Sequence, residues 1–437
     1  MSTVFSTSDF KRSSPSNQSG WGLFKTQDFT FLWTSQALSQ VGDGLVKVAL
    51  LWFVYKLTGS ALKMTVIGLL QTIPPLLLSP IIGVYLDRLP KKPVMVCVEM
   101  VRSALLIMIP ILSAMNSLSL MGLYLLVFLI AVVFTAFGPA LSASIPLIVG
   151  KPQLTAANAL IQSTATMGVI LGPVISGPGI AMIGAENMLY VGAPIFVVAA
   201  ALLLPVQITE PPRARSRSGE GSLMDDMLSG LKYVWWSHAA VRFILIVTAL
   251  HSVVASAFVF LLPVFADQSL NAGPMELGWL WSAYGGGMLL SAGWLTFAKP
   301  TSGESRLSIV AVALAAGGLA AGSLALRPAL PMALALNGMI GISLGIFTPV
   351  TWSLLQEWIP AHLRGRVFAM VNTIAMSSSL VGMMAFGSSA ETLGPQVSLL
   401  VMGMVLFSTS FACVHLKNHA LKNGSPVQAG RPQASFP

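Results

Sequence analysis

Long apolar runs, separated by short polar turns, divide the chain into twelve stretches. They lie at residues 29–55, 65–86, 94–115, 120–141, 157–182, 188–208, 241–265, 277–297, 307–326, 330–354, 367–387 and 396–415. Each is close to the roughly 20 residues that a helix needs to cross the hydrocarbon core of a bilayer. Inside that core every backbone polar group must be satisfied internally, and a helix does this within one segment. The pattern therefore predicts an all-α membrane protein with twelve transmembrane helices.

The connections are short, with one exception at residues 209–240. That stretch opens on Pro, Arg and Ser, a linker composition. It then spaces Leu223, Met227, Leu231 and Trp235 by four, which predicts an amphipathic helix on the membrane interface, a plain solvated linker being the alternative. It also splits the spans six and six. The expected organisation is a tail at 1–28, a six-helix bundle at 29–208, a linker at 209–240, a second bundle at 241–415 and a tail at 416–437. Equal halves suggest an internal duplication, a common transporter architecture. That expectation rests on span count, because FAKPTSGESR (297–306) stands where a second copy of the first half's charged turn would fall.

Composition agrees. Of 437 residues 55% are apolar and 9% charged, against about 25% charged in soluble proteins. Cys97 and Cys413 both lie within apolar runs and form no disulfide framework. The segment through Thr26 is polar, so no cleavable signal peptide is expected. The net charge of +9 reflects basic loops rather than a nucleic-acid surface. With both termini in the cytoplasm, 19 cations fall inside, only Lys56, Lys63 and Arg327 fall outside, and Lys47 and Arg102 remain in spans. The positive-inside rule selects that orientation.

Ionisable groups inside the spans are the candidates for function, because hydrocarbon penalises them. In the first span Gln36, Gln40, Asp43 and Lys47 follow steps of four, three and four and share one helical face. Asp43 lies about 18 Å along the axis from Phe31, near mid-bilayer. Two readings stay open: proton coupling or substrate contact by Asp43, or a structural Asp43–Lys47 pair. Glu99 and Arg102 form a second pair near the start of the third span, where a link to the Asp87 turn is expected. Asp43 is the first candidate to carry a proton and Glu99 the second. His251 and Asn337, mid-span in the seventh and tenth helices, are cavity candidates together with Gln36 and Gln40. No metal site and no cofactor is expected.

Two motifs punctuate the first half. GVYLDRLPKK (83–92) crowds Gly83, Asp87, Arg88, Lys91 and Lys92 into the turn between spans two and three. GVILGPVISG (168–177) places Gly168 and Gly172 four apart, which allows close helix approach, and Pro173 removes a backbone donor.

Together these stretches resemble the major facilitator superfamily. GVYLDRLPKK is similar to its motif between spans two and three, with Pro90 and Tyr85 departing from it. GVILGPVISG is similar to its antiporter motif, with Gly177 matching and Ser176 departing. DFTFLWTSQALSQVGDGL (28–45), LTGSA (57–61) and IPAHLRGRVFAM (359–370) resemble the drug- and siderophore-exporter branch, close to macrolide-efflux and enterobactin-export proteins. The family's fourth-span Arg has no counterpart, since 120–141 carries no charge.

The resemblance implies two bundles rocking about a central cavity, with the Asp87 turn as a cytoplasmic gate and span five as a seam. By family analogy spans 1, 4, 7 and 10 line the cavity, with Trp33, Phe134, Phe137, Phe258, Phe260, Met339 and Phe347 as its aromatic and Met content. It implies proton-coupled export of a small amphiphilic molecule by a monomer in the inner membrane, with lipids as surroundings. An uptake symporter is the nearest alternative. A membrane transferase would want clustered His, Asp or Glu at one face, and the chain has only scattered singles such as Glu357 and His362. An ATP-driven pump would want a GxxxxGK[ST] loop, which the sequence lacks.

Overall fold

The computed structural model describes residues 20–86, 89–150, 153–208, 239–297, 303–359 and 364–420. Within them lie thirteen α-helices and a short 3-10 turn at Gly20–Lys25. The first half contains α1 (Gln27–Thr58), α2 (Ala61–Leu86), α3 (Lys91–Ala114), α4 (Leu120–Phe134), α5 (Phe137–Ile148), α6 (Leu154–Ile183) and α7 (Ala185–Leu203). The second contains α8 (Ala239–Leu270), α9 (Pro274–Phe297), α10 (Gly303–Leu324), α11 (Leu330–Trp358), α12 (Arg364–Leu393) and α13 (Pro395–Ala420). The amphipathic helix expected within 209–240 lies outside the described residues.

The fourth span departs from expectation: it is two helices, broken at Thr135–Ala136. Pro139 has no N–H to return to the Thr135 carbonyl, so the ladder is interrupted there. The eighth span, α9, is the other departure. Among the described residues eleven helical segments are long and apolar enough to cross a membrane, and α9 is not among them. Its sequence, PMELGWLWSAYGGGMLLSAGWLTF, is rich in Gly and Trp. It packs against α6 and α11 and leaves Leu290, Trp294 and Phe297 exposed on its outer side.

The helices form two six-span bundles whose packing repeats. In the first, α1 packs on α6 and α7, α3 on α7, and α2 on α4. In the second, α8 packs on α12 and α13, α10 on α13, and α9 on α11. Backbone turns repeat as well. The positive-φ residues Gly59, Asn116 and Gly184 are answered by Asn271, Arg327 and Gly394, each about 210 residues later. All six sit on one face, where the connections are tightest. Left-handed backbone is costly for residues with a Cβ, so its recurrence at matching turns indicates a duplicated plan that the side chains no longer display.

The halves meet through α6 on α9 and α2 on α12. At the tight-turn face they are tied by polar contacts. Lys56 Nζ pairs with Asp267 Oδ1 at 2.7 Å, and Tyr55 donates to Asp267 Oδ2 at 3.0 Å. Ser60 Oγ and the Leu62 amide both donate to Glu391 Oε2, at 2.9 and 3.3 Å. These carboxylates sit at the ends of α8 and α12, and their donors lie at the α1–α2 turn.

Candidate functional site

The polar stripe of α1 divides its work between two partners. Ser39, one turn before Asp43, donates to Glu99 Oε1 on α3 at 2.7 Å. Asp43 forms an ion pair with Arg102, also on α3. Glu99 Oε2 lies 3.7 Å from Arg102 Nη1 and has no hydrogen-bond partner. One guanidinium thus stands between two carboxylates. Both Glu99 and Arg102 are buried, whereas the Asp43 side chain keeps 30% of its surface. The guanidinium is flanked by Phe196 of α7 and Phe134 of α4, with ring centroids 3.9 and 4.4 Å away. Arg suits this place because its flat group stacks on rings while its N–H fork faces carboxylates.

Lys47 does not join that pair. Its ammonium lies 5.1 Å from the ring centroid of Phe260 on α8, in the opposite half. The buried guanidinium has no water to turn to and must be paired within the protein. The flexible Lys47 side chain reaches the central hollow. Glu99 and Arg102 likewise face α1; Asp87, to which a link is expected, lies outside the described residues.

Between the halves lies a cavity of about 310 Å³. Gln40, Asp43 and Lys47 of α1 wall one side, and Trp281, Tyr284 and Met288 of α9 the other, with Pro173 of α6 between. That volume is at the small end of the usual range for ligand sites. A smaller hollow, about 60 Å³, shares Asp43 and Lys47 with it and reaches Arg102 and Gln71. The carboxylate–guanidinium cluster therefore borders the inter-bundle space directly. Counting charges, the cluster carries one surplus negative charge when both carboxylates are ionised. A proton on either one removes it.

The other sequence candidates are spread through the fold. Gln36 is buried with Oε1 unpartnered. His251 stacks on Phe347 at 3.8 Å between centroids, and its Nε2 has no partner. Asn337 donates to the Ala333 carbonyl at 2.9 Å and leaves Oδ1 unsatisfied. Neither His251 nor Asn337 lines the central cavity. That cavity is lined by spans 1, 5, 7 and 8 and not by 4 and 10. Of the aromatic and Met candidates, Trp33 donates to the Leu160 carbonyl, Phe137 stacks on Phe134, and Phe258 lies against Tyr284. Met339 faces outward, 43% exposed.

In the 83–92 turn, Asp87 and Arg88 lie outside the described residues, and Gly83 is within α2. Lys91 donates to the Leu86 carbonyl and to Leu89 O at 2.9 Å, and Lys92 donates to the Leu204 carbonyl. Both cations thereby sit at C-terminal helix ends, where the dipole favours them. The glycine motif of α6 has two sides. A Cβ on Gly172 would stand 2.5 Å from Gly44 Cα, so Gly168 and Gly172 allow contact with α1. A Cβ on Gly177 would stand 2.8 Å from Gly278 Cα, so Gly177 allows contact with α9 across the halves. Ser176 Oγ donates to the Leu45 carbonyl at 3.0 Å.

Comparison with known proteins adds three kinds of match. A sequence model of transmembrane secretion effectors fits residues 18–431. The multidrug efflux pump Tap of Mycolicibacterium fortuitum is 27% identical over 386 residues, covering 86% of this chain and 92% of that protein. Macrolide efflux protein A of Streptococcus pyogenes is 22% identical over 392 residues, covering 88% and 95%. Among solved structures, nucleoside transporter NupG superposes with a TM-score of 0.71 at 12% identity, covering 89% of this chain and 99% of that one. A bacterial homologue of the iron transporter ferroportin, in an inward-facing state, gives 0.68 at 15% identity, covering 90% and 99%.

Proposed function

The chain belongs to the transmembrane secretion effector family of the major facilitator superfamily, and we propose that it exports a small amphiphilic molecule by proton-coupled alternating access. It is a multi-pass inner-membrane transporter and not an enzyme. Relatives named for multidrug and macrolide efflux support export of drug-like molecules. The observation that carries the coupling is the Asp43–Arg102–Glu99 cluster at the edge of the inter-bundle cavity.

The cytoplasm lies on the side of the basic loops, by the positive-inside rule. The tight-turn face is then external, and the contacts of Asp267 and Glu391 hold that face shut. The segments 29–208 and 241–415 move as two bodies about the α6–α9 and α2–α12 contacts, joined through 209–240. Protonation of Glu99 or Asp43 leaves Arg102 a single anionic partner. Release of the proton returns the second carboxylate to the guanidinium. Such an exchange changes the α1–α3 contact beside the cavity, which is where a substrate would act on it. Gly177 and Gly278 supply the seam on which the halves rock. The protein works as a monomer among bilayer lipids, with Lys91 and Lys92 holding helix ends at the cytoplasmic side.

Reconstitution into liposomes with an imposed proton gradient tests this. Acid on the external face of the protein should drive a labelled macrolide toward that face. Movement with the protons would establish uptake instead.

A further inference from the structure

The stripe on α1 gives Lys47 a natural counter-ion one turn back, because Asp43 and Lys47 are four residues apart. The fold takes that counter-ion away. Asp43 pairs with Arg102, and the Lys47 ammonium is left against the ring of Phe260. A ring face attracts a cation through its quadrupole, but it supplies no formal charge. The walls that α6, α8 and α9 give the cavity contain no carboxylate. The same cavity is walled by Trp281, whose buried indole Nε1–H has no acceptor.

One cation on the α1 wall thus faces a space lined otherwise by Trp281, Tyr284, Met288, Pro173 and valines. A cationic group placed at Lys47 would meet a like charge, and Asp43, the one carboxylate that lines the cavity, is paired with Arg102. An anionic ligand would meet an ammonium free of any carboxylate. Resting on the export reading of this cavity, we infer that it takes, besides drug-like bases such as macrolides, a transported molecule that carries an acidic group, a carboxylate or a comparably acidic oxygen, which docks on Lys47. Its aromatic or apolar body lies against Trp281 and Tyr284. Charge-assisted hydrogen bonds from the ammonium orient the ligand across the interface between the halves. The same bonds tie the ligand to α1, the helix that carries Asp43, so occupancy is sensed on the element that carries the coupling carboxylate.

The test uses the full-length protein in nanodiscs and three probes of one shape: 2-naphthoate, 2-naphthamide and 2-naphthylmethylammonium. Equilibrium dialysis measures each affinity. The expected result is that the anion binds at least about tenfold tighter than the other two. Lys47→Gln should erase the difference, Lys47→Arg should keep it, and Trp281→Phe should weaken all three probes alike. An unchanged elution volume and thermal midpoint confirm that each variant is folded. Preference for the ammonium probe, equal binding of all three, no binding of any, or an anion preference that survives Lys47→Gln each overturns the inference. The export reading is checked separately, by macrolide efflux in a variant that fills the cavity, Ala165→Trp. Efflux lost there with no anion preference contradicts the acidic-substrate inference alone. Efflux unchanged there removes the cavity from transport.

Discussion

Arg102 of α3 pairs with Asp43 of α1, and that pairing decides where Glu99 and Lys47 turn. Glu99 is left with Ser39 and a 3.7 Å approach to the same guanidinium, and Lys47 is turned toward the other half. The membrane interior explains why this relationship has consequences. A charge stripped of its partner there has no water to replace it.

Removing the guanidinium should therefore be expensive. Arg102→Met leaves Glu99 buried beside an empty position, and the expected loss is on the order of 3 kcal/mol of stability. Thermal unfolding of the purified protein in detergent reads it. Adding Glu99→Gln to the same chain should recover a large part of the loss, because the orphaned charge is gone. A double variant no more stable than the single one contradicts the arrangement.

Glycine tolerance should follow helix contact. Gly172→Ala forces a Cβ to within 2.5 Å of Gly44 Cα, whereas an added Cβ at Gly138 meets nothing within 4 Å. Gly138→Ala is expected to be neutral or to gain about 0.5–1 kcal/mol through backbone entropy. Gly172→Ala should lower the folded yield and thermal midpoint. Gly177→Ala is different, because its neighbour Gly278 lies in the other half. It should slow transport more than it affects folding, measured as efflux rate per folded molecule.

The external latch makes a distance prediction. An exposed ion pair such as Lys56–Asp267 contributes about 0–1 kcal/mol, so removing it together with the Glu391 hydrogen bonds should shift the conformational balance several-fold without unfolding. Spin labels at Leu57→Cys and Leu393→Cys, in a chain carrying Cys97→Ser and Cys413→Ala, report the gap across that face. Asp267→Asn with Glu391→Gln should populate a longer distance than the parent chain. An unchanged distance distribution would mean that the latch does not hold the face closed.

Much of the architecture was legible because a bilayer allows few solutions. Runs of 20 apolar residues located all twelve spans, including 277–297, the Gly- and Trp-rich α9 that packs on α6 and α11. The break in the fourth span had its signal in Pro139, set within an otherwise continuous apolar run. What the sequence withheld were contacts between helices. Spacing by four places Asp43 beside Lys47 on one helix, but nothing in a linear pattern brings Arg102 across from α3. Ser39, one turn before Asp43, was missed for the same reason. Asp267 and Glu391 fall just past the predicted ends of spans seven and eleven, where a charge is cheap and draws no notice. The duplication was visible only as a span count until the six left-handed turns gave it a backbone signature.

Proton movement through Asp43 is the centre of this account. The decisive measurement is proton flux into pyranine-loaded proteoliposomes during macrolide efflux, comparing the parent chain with Asp43→Asn and with Glu99→Gln. The account predicts substrate-dependent proton flux in the parent and its loss, or a fall of at least about tenfold, in Asp43→Asn, with normal insertion and a folded elution profile. Undiminished substrate-coupled proton flux in Asp43→Asn would contradict it, and loss in Glu99→Gln alone would move the proton to Glu99.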